Sequence, residues 1–192
     1  MRIFGIDPGV KPGYAILDAD SNGQRPKLVH YGAIKTSTKD VLEARCLAIY
    51  QAFLGLIGEW RPDVAAIEKI FVARSPQSAL TLGHARCAAM IAVAQCAKPL
   101  YPLDASHVKQ VMTGNGRAKK PAMQAAVKDY FGLSEIIKNT DANDAVAIGL
   151  TLWVVSRRPG GLNRDAPLFT DLRVRGLPAA QGGQLFFFKG EK

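Results

Sequence analysis

The sequence has few cysteines, no long apolar run and a minority of acidic residues. Its three cysteines, Cys46, Cys87 and Cys96, are widely spaced and form no CxxC motif, which argues against both a zinc site and a disulfide framework. They are expected to be reduced thiols of a cytoplasmic protein. The longest apolar stretch, residues 87–97, is too short to cross a bilayer, and the N-terminal segment at residues 1–7 meets a charge too early for a secretory signal peptide.

The shortage of acids leaves a strongly basic chain. Its 192 residues include 25 Lys and Arg against 16 Asp and Glu, a formal net charge of +9 at pH 7. A surplus of this size favours a polyanionic partner, either a nucleic acid or an anionic membrane surface. A basic protein without such a partner has the same composition, so charge alone leaves these possibilities open.

Composition divides the chain into a domain and a tail. Residues 1–158 have the apolar content and length of one globular domain with a full core. Residues 159–192 are rich in Gly, Pro and Arg and carry few helix or strand signals apart from the apolar run at residues 184–188. We therefore predict one domain over residues 1–158 and a flexible basic tail over residues 159–192.

Apolar periodicity predicts an α/β fold. Strands at residues 2–7, 14–18 and 28–36 are joined by short turns and are expected to form an antiparallel meander. A helix capped by Asp40 follows and leads to a strand at residues 64–68. The remaining elements are expected in this order: a helix at residues 75–97, a strand at 99–103, and helices that start after Asp104, at Pro121 and near Asp141.

Four carboxylates stand where an α/β nuclease needs them. Asp7 and Glu68 each end an apolar strand, which places them at the carboxyl edge of a sheet, where open α/β folds form their ligand crevices. Asp141 and Asp144 are three residues apart at the start of an apolar helix and share one helix face. Strand-end solvation, or the preference of helix N-termini for acids, would explain each one alone. The four together favour a shared site.

Five short blocks resemble the RuvC family of bacterial Holliday-junction resolvases. In chain order they are Gly5-Ile6-Asp7-Pro8-Gly9, Ala66-Ile67-Glu68 followed by Phe71, Ser78-Ala79-Leu80 with Leu82-Gly83-His84-Ala85-Arg86, Val108-Lys109-Gln110, and Asp141-Ala142-Asn143-Asp144-Ala145. The resemblance runs over roughly residues 1–155. Three features depart from the family: the turn at residues 10–13 is one residue shorter than usual and lacks its Thr, Lys119 adds a charge, and the tail carries no family signature.

The resemblance implies a ribonuclease H-like fold, with three antiparallel strands followed by parallel strands in a sheet flanked by helices. It implies a homodimer that makes two symmetric nicks in a four-way DNA junction during recombination and repair, together with the branch-migration helicase complex of that pathway. It also implies two Mg²⁺ or Mn²⁺ ions per active site, held by Asp7, Glu68, Asp141 and Asp144. Hard divalent cations prefer such oxygen ligands, and converging carboxylates repel one another without a cation.

Basic and aromatic residues complete the site that the resemblance implies. Lys109 and Lys120 match basic active-site positions, where a lysine can hold the scissile phosphate or stabilise its developing charge; the alternative is an ordinary solvated lysine. Phe71 matches an aromatic that stacks on an unpaired base near the crossover; the alternative is a Phe that caps the core. The further candidate DNA contacts are Arg74, Arg86, Arg117 and Lys119.

The helix at residues 75–97 is apolar around most of its second half, which predicts burial on more than one side. It is either simple core, or core on one side and a two-fold interface on the other. The resemblance favours the interface, because matched nicks in a near-symmetric junction need two active sites related by a dimer axis. Met90 is expected at an outward apolar position of this interface.

Three other functions fit parts of the pattern. Another ribonuclease H-like nuclease would differ in its nucleic-acid substrate. An actin-like phosphate-binding ATPase also begins with an apolar strand and Asp-x-Gly, but it needs a second related lobe, and this chain has no second Asp-x-Gly strand. A junction-binding module without catalysis would have no use for four grouped acids.

Overall fold

The protein is described by a computed structural model over residues 1–20, 24–37, 39–69, 76–96 and 98–157. Phe71, Arg74 and the predicted tail at residues 159–192 lie outside the described residues. The elements follow in the order β1 (Arg2–Asp7), β2 (Gly13–Asp18), β3 (Lys27–Ala33), α1 (Leu42–Trp60), β4 (Val64–Glu68), α2 (Pro76–Gln95), β5 (Leu100–Leu103), α3 (Ala105–Thr113), α4 (Lys120–Phe131) and α5 (Thr140–Ser156).

The five strands form one mixed sheet in the order β3-β2-β1-β4-β5. The first three strands pair antiparallel, whereas β4 is parallel to β1 and β5 is parallel to β4. Both the predicted meander and the predicted parallel part are confirmed. β3 ends at Ala33, before the predicted end at Thr36, because the chain beyond it binds the turn after β1: the Ile34 N–H donates to the Pro12 carbonyl at 2.8 Å.

Helices cover both faces of the sheet, and alternate strand residues divide between them. Phe4, Ile6 and Ile16 face α1 and α2. Ile3 and Leu17 face the opposite layer, which consists of α5 backed by α3 and α4. Each face of the sheet therefore has its own apolar core. No helix among the described residues combines the length and the apolar character needed to cross a membrane.

Three glycines let α5 lie with its backbone directly against β1 and β2. A Cβ on Gly5 would overlap the Ala145 carbonyl oxygen, and a Cβ on Gly13 would overlap the Asp141 carbonyl oxygen. On the helix, a Cβ on Gly149 would lie 2.6 Å from a methyl carbon of Leu17 and 3.5 Å from the Gly5 Cα. Backbone contact at Gly5 and Gly13 thus sets how closely α5 approaches β1 and β2.

Two predicted helix caps differ in detail from the structure. α1 begins at Leu42 with Val41 in the N-cap position, so the prediction that Asp40 caps it was wrong; the Asp40 N–H donates to the Ser37 carbonyl at 3.3 Å and belongs to the preceding turn. Asp104 does precede α3, but its carboxylate pairs with the Lys69 ammonium at 2.9 Å and makes no cap hydrogen bond.

α2 buries one face against α1 and the sheet, and Met90 lies beside that face rather than outward. Its side chain packs against the core, and its sulfur accepts a hydrogen bond from Arg86 Nη1 at 2.9 Å. Met90 is therefore half-buried against the core, and the prediction that it is an outward position was wrong. The outward apolar residues of α2 are Leu80 and Ile91, 58% and 53% exposed.

Gly5→Ala is expected to lower the free energy of unfolding by about 1–3 kcal/mol, because the new methyl group would overlap a backbone carbonyl that cannot rotate away. Gly55→Ala in α1 is the matched control, since nothing lies within 4 Å of its Cβ position and alanine stabilises a helix relative to glycine. Urea unfolding at equilibrium measures both. Wild-type stability in Gly5→Ala would contradict the close approach of α5.

Candidate active site

Asp7 and Glu68 lie side by side at one edge of the sheet. β1 and β4 are parallel, and their register pairs Ile3 with Val64 and Gly5 with Ala66, so Asp7 and Glu68 are the next residues of the same series. Because side chains alternate along a strand, both carboxylates are on the face of the sheet that α5 covers. The two acids thus occupy neighbouring positions at the carboxyl ends of β1 and β4.

The first turn of α5 lies over the same edge. The Asn139 side chain accepts a hydrogen bond from the Ala142 N–H at 2.9 Å and so caps the helix. Gly13 pairs with Asp7 across the β1–β2 ladder, and its missing Cβ leaves room for the Asp141 carbonyl. This contact holds the start of α5 next to the end of β1. Asp144 follows one helical turn after Asp141.

Burial and mutual repulsion act strongly on Asp7. Burial is the main cause that raises its pKa to about 8, and the charges of Glu68, Asp144 and Asp141 raise it further. The Lys120 ammonium acts in the opposite direction. All four predicted carboxylates are therefore close enough to affect one another electrostatically.

Glu68 and Asp144 show the same pattern. Burial first, and then the charge of Asp144, raise the pKa of Glu68 to about 7, while Lys109 opposes the shift. The pKa of Asp144 is also raised, mainly by burial, against the opposing charge of Lys120. The structure thus places both predicted lysines within electrostatic reach of the acids.

The donor set fits a divalent cation in its chemistry, although its oxygens do not converge on one point. Among the residues that the structure describes, no three His, Cys, Asp or Glu side chains are grouped closely enough to hold a metal ion as they stand. Carboxylate oxygens are nevertheless the ligands that Mg²⁺ and Mn²⁺ prefer. A cation among these acids would also offset the burial and repulsion that raise the pKa values of Asp7 and Glu68.

The two lysines come from the helices that back α5. Lys109 lies on α3, and Lys120 is the first residue of α4, with its Nζ 3.4 Å from the Thr140 hydroxyl oxygen at the start of α5. The loop between α3 and α4 carries two more of the predicted DNA contacts, Arg117 and Lys119, both exposed. Basic side chains therefore lie beside the acids and continue from them along this loop.

Arg86 lies on α2 and is directed at the end of β4. Its Nε donates to the Glu68 carbonyl at 3.1 Å and its Nη1 donates to the Met90 sulfur, and burial lowers the pKa of its guanidinium. These contacts support the strand end that carries Glu68. A phosphate contact at Arg86 stays a prediction.

Some residues that build the site were not assigned from the sequence. Asn139 could have been recognised, because an Asn two residues before an acid at a helix start is a common cap signal. Gln110 stands in a motif block that was noted for its neighbour Lys109. Gly13 has no signal of its own, because its role depends on a helix that is more than a hundred residues away in the chain.

Comparison with known proteins agrees with this geometry. The family model described as Crossover junction endodeoxyribonuclease RuvC matches residues 3–152. A protein of that name from Caldicellulosiruptor saccharolyticus is 38% identical over 151 residues, which is 78% of this chain and 90% of the relative. Another from Gloeobacter violaceus is 40% identical over 154 residues, 80% of this chain and 88% of the relative.

A solved structure extends the likeness to three dimensions. RuvC from Thermus thermophilus in complex with Holliday junction substrate is similar with a TM-score of 0.78 and 28% identity, over 88% of this chain and 99% of that chain. The mixed sheet with helices on both faces is accordingly the predicted ribonuclease H-like fold. With the family model and both relatives matching most of its length, the chain belongs to the crossover junction endodeoxyribonuclease RuvC family.

Proposed function

We propose that this protein is a metal-dependent endonuclease that resolves four-way DNA junctions by paired symmetric nicks. The observation that carries the proposal is the meeting of four carboxylates and two lysines at one sheet edge under the start of α5. Membership of a family named for crossover junction endodeoxyribonuclease activity supports the substrate, as does a structural neighbour in complex with a Holliday junction.

Asp7, Glu68, Asp141 and Asp144 would hold two Mg²⁺ or Mn²⁺ ions. Such a pair of ions activates water and stabilises the leaving 3′ oxygen in an in-line displacement at phosphorus. The protein contributes oxygen ligands on three separate elements, β1, β4 and α5. Because these elements pack against one another in one domain, their backbones would hold the four carboxylates beside a bound ion, and rotation of the side chains would bring the oxygens to it.

Lys109 and Lys120 would hold the scissile phosphate and stabilise the charge that develops on it. The positive charge of Lys109 opposes the rise in the pKa of Glu68, and that of Lys120 opposes the rise in the pKa of Asp7. A phosphate that enters between acids and lysines would bring its own negative charge to the lysines. The remaining DNA contacts of the proposal are Arg117 and Lys119 on the exposed loop, together with Phe71, Arg74 and Arg86, which rest on the resemblance alone.

We further propose that two copies of the chain associate through the outward face of α2. Leu80 and Ile91 lie on one side of this helix together with the exposed His84 and Cys87. An exposed apolar row on a helix fits a protein partner, and a two-fold axis through it would suit the near two-fold symmetry of a junction.

The branch-migration helicase complex remains a partner proposed from the family resemblance. Residues 1–158 would form the nuclease domain and residues 159–192 a solvated basic tail.

Without metal, the protein is expected to lose stability as the pH rises. Folded Asp7 keeps its proton up to a pKa of about 8, whereas the unfolded chain releases it near pH 4, so the unfolded state is favoured progressively between these values. Asp7→Asn should therefore match wild type at about pH 4 and exceed it at pH 8 by on the order of 5 kcal/mol. Urea unfolding in EDTA measures the difference.

The exposed Asp129→Asn on α4 is the matched control for this measurement. Mg²⁺ added at pH 8 should stabilise wild type by mass action and leave Asp7→Asn nearly unchanged. If Asp7→Asn were no more stable than wild type at pH 8, the buried and repelled carboxyl would not be the source of the pH dependence.

Asp7→Asn should reduce junction cleavage by about 100-fold or more while junction binding stays close to wild type, because a ligand is removed and the basic surface remains. Cleavage rates are measured on a synthetic four-way junction, a duplex and an RNA–DNA hybrid, each with and without Mg²⁺ or Mn²⁺. Asp129→Asn again serves as control. Wild-type cleavage of the hybrid in preference to the junction would instead identify a ribonuclease H-like nuclease with another substrate.

Ile91→Glu should convert the protein to monomers, because it places a charge in the exposed apolar row of α2. Ile136→Glu, a 43% exposed position on the loop before α5, is the matched control and should leave the association unchanged. Sedimentation measures the assembly, and a cruciform plasmid reports paired incision as linear product and single incision as nicked circle. An Ile91→Glu protein that remains dimeric would exclude this face as the interface.

A further inference from the structure

The loop of residues 114–119 joins the helix that carries Lys109 to the helix that starts at Lys120, and one side chain spans it. Gln110 Nε2 donates to the Gly114 carbonyl at 2.8 Å, and Gln110 Oε1 accepts from the Gly116 N–H at 3.0 Å. We propose that Gln110 is a positioning residue, which fixes this loop and thereby places Lys120 in the active site.

The two bonds require a side-chain amide of this length. One is donated and the other is accepted, so a carboxylate, an ammonium or an aliphatic side chain would satisfy at most one of them. Gln110 is exposed and takes no part in either apolar core. Its contribution is therefore to the shape of the loop rather than to the packing of the domain.

The rest of the loop is arranged around this bridge. Gly114 ends α3 in the left-handed region at φ 74°, where glycine is favoured. The Arg117 N–H donates to the Asn115 side chain at 2.9 Å, and the Ala118 N–H donates to the Asn115 carbonyl at 3.0 Å. A Cβ on Gly116 would lie 3.1 Å from the Ser106 carbonyl, so the loop folds back closely on α3.

This loop geometry determines where α4 begins. Ala118 is buried, Lys119 takes the N-cap position, and Lys120 is the first helical residue. Lys120 acts on the charges of Asp7 and Asp144. Since Gln110 directly follows Lys109, the bridge fixes the path of the chain between the two lysines of the site. The inference rests on the proposed function, in which Lys120 acts on the scissile phosphate.

Gln110→Ala removes both bonds, and Gln110→Glu keeps the length while it places a carboxylate against the Gly114 carbonyl. For both variants we expect the single-turnover rate of junction cleavage to fall about 10- to 100-fold, because a displacement of about 1 Å at a catalytic group costs this much. The junction Kd should change by less than about 3-fold, since every basic residue that contacts phosphate remains. The melting temperature should stay at the wild-type value.

A double-mutant cycle tests whether Gln110 acts through Lys120 or contributes to cleavage independently of it. If Gln110 acts through Lys120, then Gln110→Ala combined with Lys120→Ala should cleave no more slowly than Lys120→Ala alone. Gln51→Ala is the matched control, because Gln51 is an exposed glutamine on α1, across the sheet from the loop. It should cleave at the wild-type rate.

These measurements distinguish a failure of the role proposed for Gln110 from a failure of the proposed function. A slow Lys120→Ala variant with a wild-type rate for Gln110→Ala, or with effects that multiply in the double variant, overturns the role of Gln110 and leaves the proposed function standing. A wild-type rate for Lys120→Ala overturns the role of both residues. A wild-type protein that cleaves no four-way junction overturns the proposed function itself.

Discussion

The close backbone contact between α5 and the β1–β2 pair is the constraint on which the active site depends. Gly5 and Gly13 on the sheet and Gly149 on the helix remove the side chains that would otherwise hold these elements apart. Helix and sheet layers normally meet through interdigitated side chains, whereas here backbone meets backbone at the end of β1. Two acids from the helix consequently lie within electrostatic range of two acids from the strands.

The same contact makes the metal-free site electrostatically unfavourable. Burial under α5 is the main reason why Asp7 and Glu68 hold their protons, with pKa values of about 8 and about 7. The two lysines only partly compensate. A site of this kind gives up stability in the fold to prepare acids for a cation, so the glycine contact that secures the geometry also creates the demand for positive charge.

Much of this could be predicted from the sequence, because it depends on local rules. Strand alternation places Asp7 and Glu68, and helix spacing places Asp141 and Asp144, whatever the details of packing. The sequence could not predict how far α5 sinks onto the sheet, since this depends on glycines far apart in the chain. The rotation of α2, which leaves Met90 half-buried, likewise depends on which neighbours the helix packs against.

The acids and the lysines are held by different means. The backbones that carry the acids are fixed by the sheet and by α5, while the four half-buried side chains lie at the edge of the apolar core. The lysines are joined through a short loop whose conformation depends on exposed amides and glycines. Ala118 ties this loop to the core, whereas Gln110 and Asn115 are exposed. Changes at these exposed amides are therefore expected to shift the basic groups relative to the acids while the core stays intact.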